Sequence, residues 1–376
     1  MTEKTSLDTL TKFFIATLGI VAIVIVLKEL QNLFLPFVIA YFLYFLFVPL
    51  NKFLTSKKIP LAIAGLLDIA ITFTMTWFAG KFIIDSLMSF SSELDLYDKK
   101  LSAMVMSTAT SIGISDPALN NFSIQSLLKQ IDYGSLAGGL LTSTIDLMGY
   151  ALFVIFFFSF ILPGHKAIYR AIEKRVVSPK KFEIIKRKQL VGDESGQSAV
   201  QPDHDLEEET TKLEKTFKTI PEQIQKYIIT KLVLNILAGV TVGVVLGILG
   251  VPFPAVWGAF TAILNFIPTI GSAFATILPA LMSLVDSGEI TFTLLVVGCM
   301  AGIQTLYFNL LEPMIVGKRL NLNPLVILFS VIIWGYIWGI MGMFLAVPLT
   351  AILKIVISNF DSKNMQFISD LMGSND

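Results

Sequence analysis

The sequence predicts an all-α, polytopic integral membrane protein. Three observations carry that prediction. Hydrophobic residues make up 54% of the 376-residue chain and charged residues only 15%. Mean hydropathy is +0.74, too apolar for a chain that must present most of its surface to water. Several apolar runs approach the roughly 20 residues that cross a hydrocarbon core of about 30 Å, and none alternates as barrel strands would. About eight membrane segments are expected, two of them broken or re-entrant helical hairpins.

Taken in order, residues 13–27 form the first span, read as a retained helix because no small-residue cleavage site follows it. The second span, 33–53, has Pro36 near its start and Pro49 near its end. The third, 60–80, contains Asp68. Residues 81–146 are mixed and are expected to form short amphipathic helices outside the membrane. A fourth span, 147–162, stops at Pro163-Gly164. The polar block that follows is basic first ("HKAIYRAIEKRVVSPKKFEIIKRK") and then acidic and turn-rich, with flexibility expected there. A fifth span covers 227–249, a long apolar run 251–285, a further span 290–311, and a last long run 324–356.

The resulting domains are 1–84, N-terminal membrane helices; 85–146, an extracytoplasmic segment; 147–163, a single span; 164–220, a cytoplasmic polar segment; 221–357, a transport core; and 358–376, a cytoplasmic tail. Lysine and arginine in short loops set orientation. Lys52, Lys57, Lys58, the basic block, Lys318 and Arg319 fall on one side, which places both termini in the cytoplasm. The basic stretch is also expected to touch anionic lipid.

Composition excludes several classes. A net formal charge of zero gives no reason to expect a nucleic-acid partner. One cysteine and two histidines leave little material for a metal site. No Walker A sequence and no credible Ser-His-Asp arrangement appear, so neither an enzyme nor a cofactor is expected.

The two long apolar runs have an awkward length. As a straight rod, 251–285 would measure roughly 50 Å, yet two full crossings need roughly 40 residues. Pro268 and Gly271, in "NFIPTIGS", fall near its middle, where a helix breaks most readily. In 324–356 the centre "WGYIWGIMG" places Gly335, Gly339 and Gly342 among aromatics, for a turn or for close helix packing. Span, broken run, span, broken run is the outline of an inverted repeat, with the first break entering from outside and the second from the cytoplasm. Transporters place such breaks around a shared site.

The stretch 227–272, together with 309–354, resembles the AI-2E family of transporters. The resemblance rests on Gly-Val-Pro at 250–252, Ile-Pro-x-Ile-Gly at 267–271, Glu312-Pro313, Asn323-Pro324 and a glycine-rich run ending in Ala-Val-Pro at 346–348. Residues 226–356 carry most of it. Ser272 stands where the family pattern has proline, and the acidic tract within 164–220 is foreign to it. The resemblance implies a bacterial inner-membrane homo-oligomer that exports small solutes. Family members are linked to the quorum signal autoinducer-2, others to sodium/proton exchange.

Candidate residues follow. Asn265, Pro268, Thr269, Gly271 and Ser272 offer amide, hydroxyl and freed carbonyl groups to a solute or cation, or else form a loop at a membrane face. Gly335, Gly339 and Gly342 line the second break or simply pack helices. Asp68 is an ion-coupling carboxylate or a structural one bonded to a neighbouring helix. Glu312 binds a cation or pairs with Lys318 or Arg319. Asn235, Gln304 and Asn309 are expected as interhelical glue, and Lys231 as a snorkelling interface residue. Three functions stay open: export of a small polar solute, monovalent cation/proton antiport, or a membrane scaffold docking through 164–220.

Overall fold

A computed structural model describes residues 9–112, 149–165, 167–168, 171, 204–316, 322–358 and 363–373. Most of the polar block, the later part of the extracytoplasmic segment, and Lys318 and Arg319 lie outside the described residues. No strand occurs among those that are described.

Helices α1 (Thr9–Glu29), α2 (Gln31–Ser56), α3 (Leu61–Ser92) and α4 (Leu94–Ile112) follow one another with short breaks. A fifth, α5 (Gly149–His165), matches the expected fourth span. Then come α6 (His204–Leu249), α7 (Pro254–Leu264), α8 (Ile270–Ser287) and α9 (Ile290–Gln304). A π-helix (Thr305–Leu311) joins α9 to α10 (Glu312–Val316). The chain closes with α11 (Pro324–Ser358) and α12 (Lys363–Met372).

Among the described residues, six helices are long and apolar enough, by length and composition, to cross a membrane. Their outward faces are oily: Ile248 is 80% exposed, Phe73 69% and Leu66 67%. A soluble protein would hide such a surface, whereas hydrocarbon solvates it.

Two boundaries differ from expectation. The third span runs unbroken to Ser92, well past Gly80. The fifth begins at His204, inside the segment expected to be flexible. From 204 to 220 there is no glycine or proline, only helix-compatible residues, so nothing stops the helix from extending backwards.

Both long runs fold back on themselves. In the first, α7 has 11 residues and rises about 16 Å, around half of a hydrocarbon core. Residues 265–269 reverse the chain into α8. A methyl on Gly271 would strike the Leu264 carbonyl oxygen, so only glycine lets the two helical arms of this hairpin approach so closely. In the second, Trp338 and Gly339 leave helical geometry within α11, Gly339 with φ 62° and ψ −144°. The Trp334 indole Nε1 donates to Thr350 Oγ1 at 3.1 Å. Sixteen residues of straight helix would separate them by about 24 Å, so 324–337 and 340–358 are two arms of a hairpin.

The hairpins enter from opposite ends. Tyr97 of α4 packs against Phe253, which opens α7, and Lys100 pairs with Asp286 near the end of α8 at 2.6 Å. Both ends of the first hairpin therefore lie on the α4 side. The Asn323 N–H, just before α11, donates to the Met372 carbonyl of α12 at 2.8 Å. Between these faces run α9, the π-helix and α10, 27 residues from Ile290 to Val316, or about 40 Å. The expected inverted order is what the structure has.

Candidate functional site

The tips of the two hairpins meet. Phe266 stacks on Phe344 with ring centroids 5.6 Å apart. Ile267 joins Trp334, Ile337, Trp338 and Leu345 in one buried cluster, with Ile270 packed against it. The Trp338 Nε1 donates to the Leu27 carbonyl of α1 at 2.9 Å, which ties the second tip to the N-terminal helices.

At the first tip the backbone is strained. Thr269 has φ 65° and ψ −56°. The Ile270 N–H bonds the Pro268 carbonyl two residues back at 2.7 Å. This is the rare γ-turn with positive φ at its centre, and a β-branched residue adopts it only at a cost of order 1–3 kcal/mol. Ser272 donates from Oγ to Asn265 Oδ1 at 2.9 Å. That bond fixes the Asn265 amide, whose Nδ2 is buried with no hydrogen-bond partner among the described residues.

Other polar groups share this level. On α6, Lys231, Asn235, Gly239, Gly243 and Gly247 recur every four residues and so form one stripe. A Cβ on Gly239 would lie 2.5 Å from the Gly258 carbonyl oxygen and 2.8 Å from Ala262 Cβ, and one on Gly243 3.4 Å from the Pro254 oxygen. The helices α6 and α7 are thus antiparallel with backbones in close contact. One turn further along this register, Asn235 lies opposite 262–266, where α7 ends. Thr261 shares the same face of α7 with Gly258 and Asn265.

From the other flank, Val296, Met300 and Ile303 of α9 pack on Val242 and Leu246 of α6. Gln304 follows one turn after Met300. Asn235 and Thr261 are fully buried, Asn265 is 2% exposed and Gln304 7%. Among the described residues, both polar atoms of Asn235, both of Gln304, Thr261 Oγ1 and Asn265 Nδ2 lack a hydrogen-bond partner. A buried donor or acceptor left unmade costs about 1–3 kcal/mol. The expectation for Asn235 and Gln304 is interhelical hydrogen bonding, and none is found among the described residues. The exposed Asn309 lies apart from the cluster, within the π-helix.

Lys231 does not snorkel. Its Nζ bonds Glu312 Oε2 at 2.7 Å and Oε1 at 3.0 Å, and lies 4.9 Å from the centre of the Phe308 ring. The side chains are 7% and 19% exposed. Glu312 thus has an internal cation one turn from Asn235. The π-helix just before it has wider turns than an α-helix, a distortion frequent at functional positions. It also carries Tyr307, which hydrogen-bonds Thr241 of α6 at 2.8 Å. The Thr241 hydroxyl already donates to the Leu237 carbonyl, so Tyr307 is the donor.

Asp68 lies elsewhere, between α3 and α2. It is fully buried, and its Oδ2 accepts from Asn51 Nδ2 at 2.7 Å. Asp68 Oδ1 and Asn51 Oδ1 are both buried without a partner among the described residues. The structure brings together Asn265, Gly271 and Ser272 of the first break, and sets Phe266 and Ile267 against the second break's tryptophans. Asp68 does not join them. Thr261 was not among the candidates, and Asn235 and Gln304 were expected only as interhelical glue. The four-residue stripe on α6, which ends in Asn235 and Lys231, was the available signal.

The known proteins that this chain resembles are named as transport proteins. A protein of Borreliella burgdorferi named "Putative transport protein" is 35% identical over 161 residues, 39% of this chain and 44% of that one. The Escherichia coli "AI-2 transport protein TqsA" is 38% identical over 136 residues, 36% of this chain and 39% of that one. The matched stretches thus span less than half the length of these two relatives. The Bacillus subtilis "Putative transport protein YueF" is 26% identical over 344 residues, 86% of this chain and 83% of that one. The sequence profile described as "AI-2E family transporter" matches residues 13–193 and 205–361, passing over part of the acidic insert. With a profile covering most of its length and two helical hairpins built from the matching residues, the chain belongs to the AI-2E transporter family.

Proposed function

We propose that this protein exports a small polar solute of the autoinducer-2 kind across the bacterial inner membrane by secondary transport. The observation that carries the reading is the meeting of two hairpin tips that enter from opposite faces. One hairpin shifting against the other exposes the same polar level to either side in turn, which is the requirement of alternating access. The name of the Escherichia coli relative supports autoinducer-2 as the first solute to try. Under this reading both termini face the cytoplasm, and the partners are the solute, the bilayer and further copies of the chain.

The test uses inside-out vesicles from cells that express the full chain. Autoinducer-2 accumulates inside them faster than in vesicles lacking the protein. Equal rates would overturn the reading.

One observation favours a second reading, monovalent cation/proton antiport. Asp68 and Asn51 leave two buried oxygens without a donor, a setting that a proton or a cation completes. A sodium gradient imposed on vesicles containing a pH-sensitive dye distinguishes the two. Antiport gives a proton response that Asp68→Asn abolishes, and a silent dye removes it.

A further inference from the structure

We infer that Asn51 and Asp68 form a proton-binding site, in which one proton closes a cyclic acid–amide pair between α2 and α3. The inference goes beyond both readings above. For antiport it names the ion that this pair holds, and as a proton site it stands whichever solute crosses.

The geometry starts from one short bond. Asn51 Nδ2 donates to Asp68 Oδ2 at 2.7 Å, and the atom left over on each side chain is an oxygen. Both leftover oxygens are buried and without a partner among the described residues. A carboxylate only accepts, so it offers nothing to the Asn51 oxygen, whereas a carboxylic acid has one O–H to give. A proton on Asp68 Oδ1, donated to Asn51 Oδ1, satisfies both oxygens at once and completes a ring of two antiparallel hydrogen bonds. It also removes the charge from a fully buried side chain, where an unpaired charge is costly.

The surroundings supply no counter-charge. Ala64, Gly65 and Asp68 share one buried face of α3. A Cβ on Gly65 would lie 2.5 Å from the Leu162 side chain, so α5 covers this face together with α2. The titratable groups of these two helices are Tyr41, Tyr44 and Lys52 on α2, and Tyr150 and His165 on α5. Tyr150 bonds Asn32 at the far end of α2, and His165 lies against the rings of Tyr41, Tyr44 and Phe45. Lys52 is exposed. On α6, which packs against α2 through Tyr227 and Ile228, Lys231 is held by Glu312. Among the described residues none of these groups bonds the Asp68 carboxyl. Two oxygens alone make an incomplete shell for sodium, which would need further ligands and a cavity, whereas a proton adds no volume. Asp68 lies seven residues from Leu61, about 10 Å along α3 from the end that carries Lys57 and Lys58.

Asp68→Asn tests the site, because its NH₂ stands where the O–H would and keeps the ring without a titratable proton. The full chain in lipid nanodiscs is followed by infrared difference spectroscopy and by melting. At neutral pH the wild type shows the C=O band of a hydrogen-bonded carboxylic acid, which Asp68→Asn removes. In Asn51→Leu the band moves to higher frequency, as that of an acid without its hydrogen-bonded partner does. Sodium chloride in place of choline chloride leaves the wild-type band unchanged. The folded protein keeps a proton that the unfolded chain has already lost, so stability falls as pH rises across that interval. The wild-type melting temperature, taken relative to Asp68→Asn, is expected to drop by several degrees between about pH 5 and about pH 8.

Four outcomes overturn the inference: no acid band that depends on Asp68, a band unmoved in Asn51→Leu, a band lost on adding sodium, or a wild-type melt that tracks Asp68→Asn at every pH. A sodium-driven dye response that Asp68→Asn abolishes, with no acid band in the wild type, sinks the proton site and leaves antiport standing. The band together with a silent dye sinks antiport and leaves the site.

Discussion

The two hairpins solve one geometric problem with different chemistry. Each turns so tightly that a glycine Cβ would strike a main-chain carbonyl, that of Leu264 beneath Gly271 and that of Trp334 beneath Gly342. Beyond that they diverge. The first tip is polar and strained, with Thr269 at positive φ and Asn265 half matched. The second is aromatic and relaxed, with glycine at its own positive-φ position and both indole N–H groups bonded. A hairpin whose polar groups are matched within the protein is a wall. One that leaves them open and holds strain is equipped to meet something else. The comparison supports the proposal that the first hairpin contacts the solute and the second supports it.

The largest expected effect tests what the hairpins share. Gly271→Ala and Gly342→Ala each force backbone against backbone, which no rotamer change relieves. Each is expected to cost about 3 kcal/mol, the upper end for overpacking. Thermal melting of the purified variants would show large losses for both. A loss confined to one would break the shared-turn half of the comparison.

The smaller effect tests what divides them. Gly339 has open space beside its Cα, so Gly339→Ala is opposed by its φ/ψ alone and is expected to cost about 1–2 kcal/mol. Thr269→Gly runs the other way. It releases the strained γ-turn and is expected to stabilise by about 1 kcal/mol or less, offset in part by glycine's unfolded-state freedom. The account expects export to slow in Thr269→Gly although the protein melts higher. Unchanged export together with higher melting would show that the strain has no role in transport.

Much of this was legible in the sequence because run length is a physical quantity. A run too long for one crossing and short for two, broken by Pro268 and Gly271, leaves few foldings in hydrocarbon. Counting crossings then set the opposed entry of the two hairpins. What stayed hidden depends on rotation between helices. Asn51 and Asp68 lie 17 residues apart on consecutive helices, and nothing local aims one at the other. Lys231 and Glu312 lie 81 residues apart, and a lysine near a span end has a ready alternative in the interface. The helical course of 204–220 was masked by its charge, which reads as flexible chain until the absence of glycine and proline is weighed. Asn235 and Gln304 looked like ordinary helix glue because sequence shows an amide and not whether it finds a partner.

The most direct test of the meeting of the tips is cross-linking in native membranes. Phe266→Cys and Phe344→Cys are introduced together in a Cys299→Ala background, since Cys299 is the chain's one native cysteine. With ring centroids 5.6 Å apart in the structure, a short bifunctional thiol reagent is expected to join the two positions within one chain and to stop export. If both cysteines react with a single maleimide yet no intrachain product forms, the hairpin tips do not meet in the membrane, and the account is contradicted.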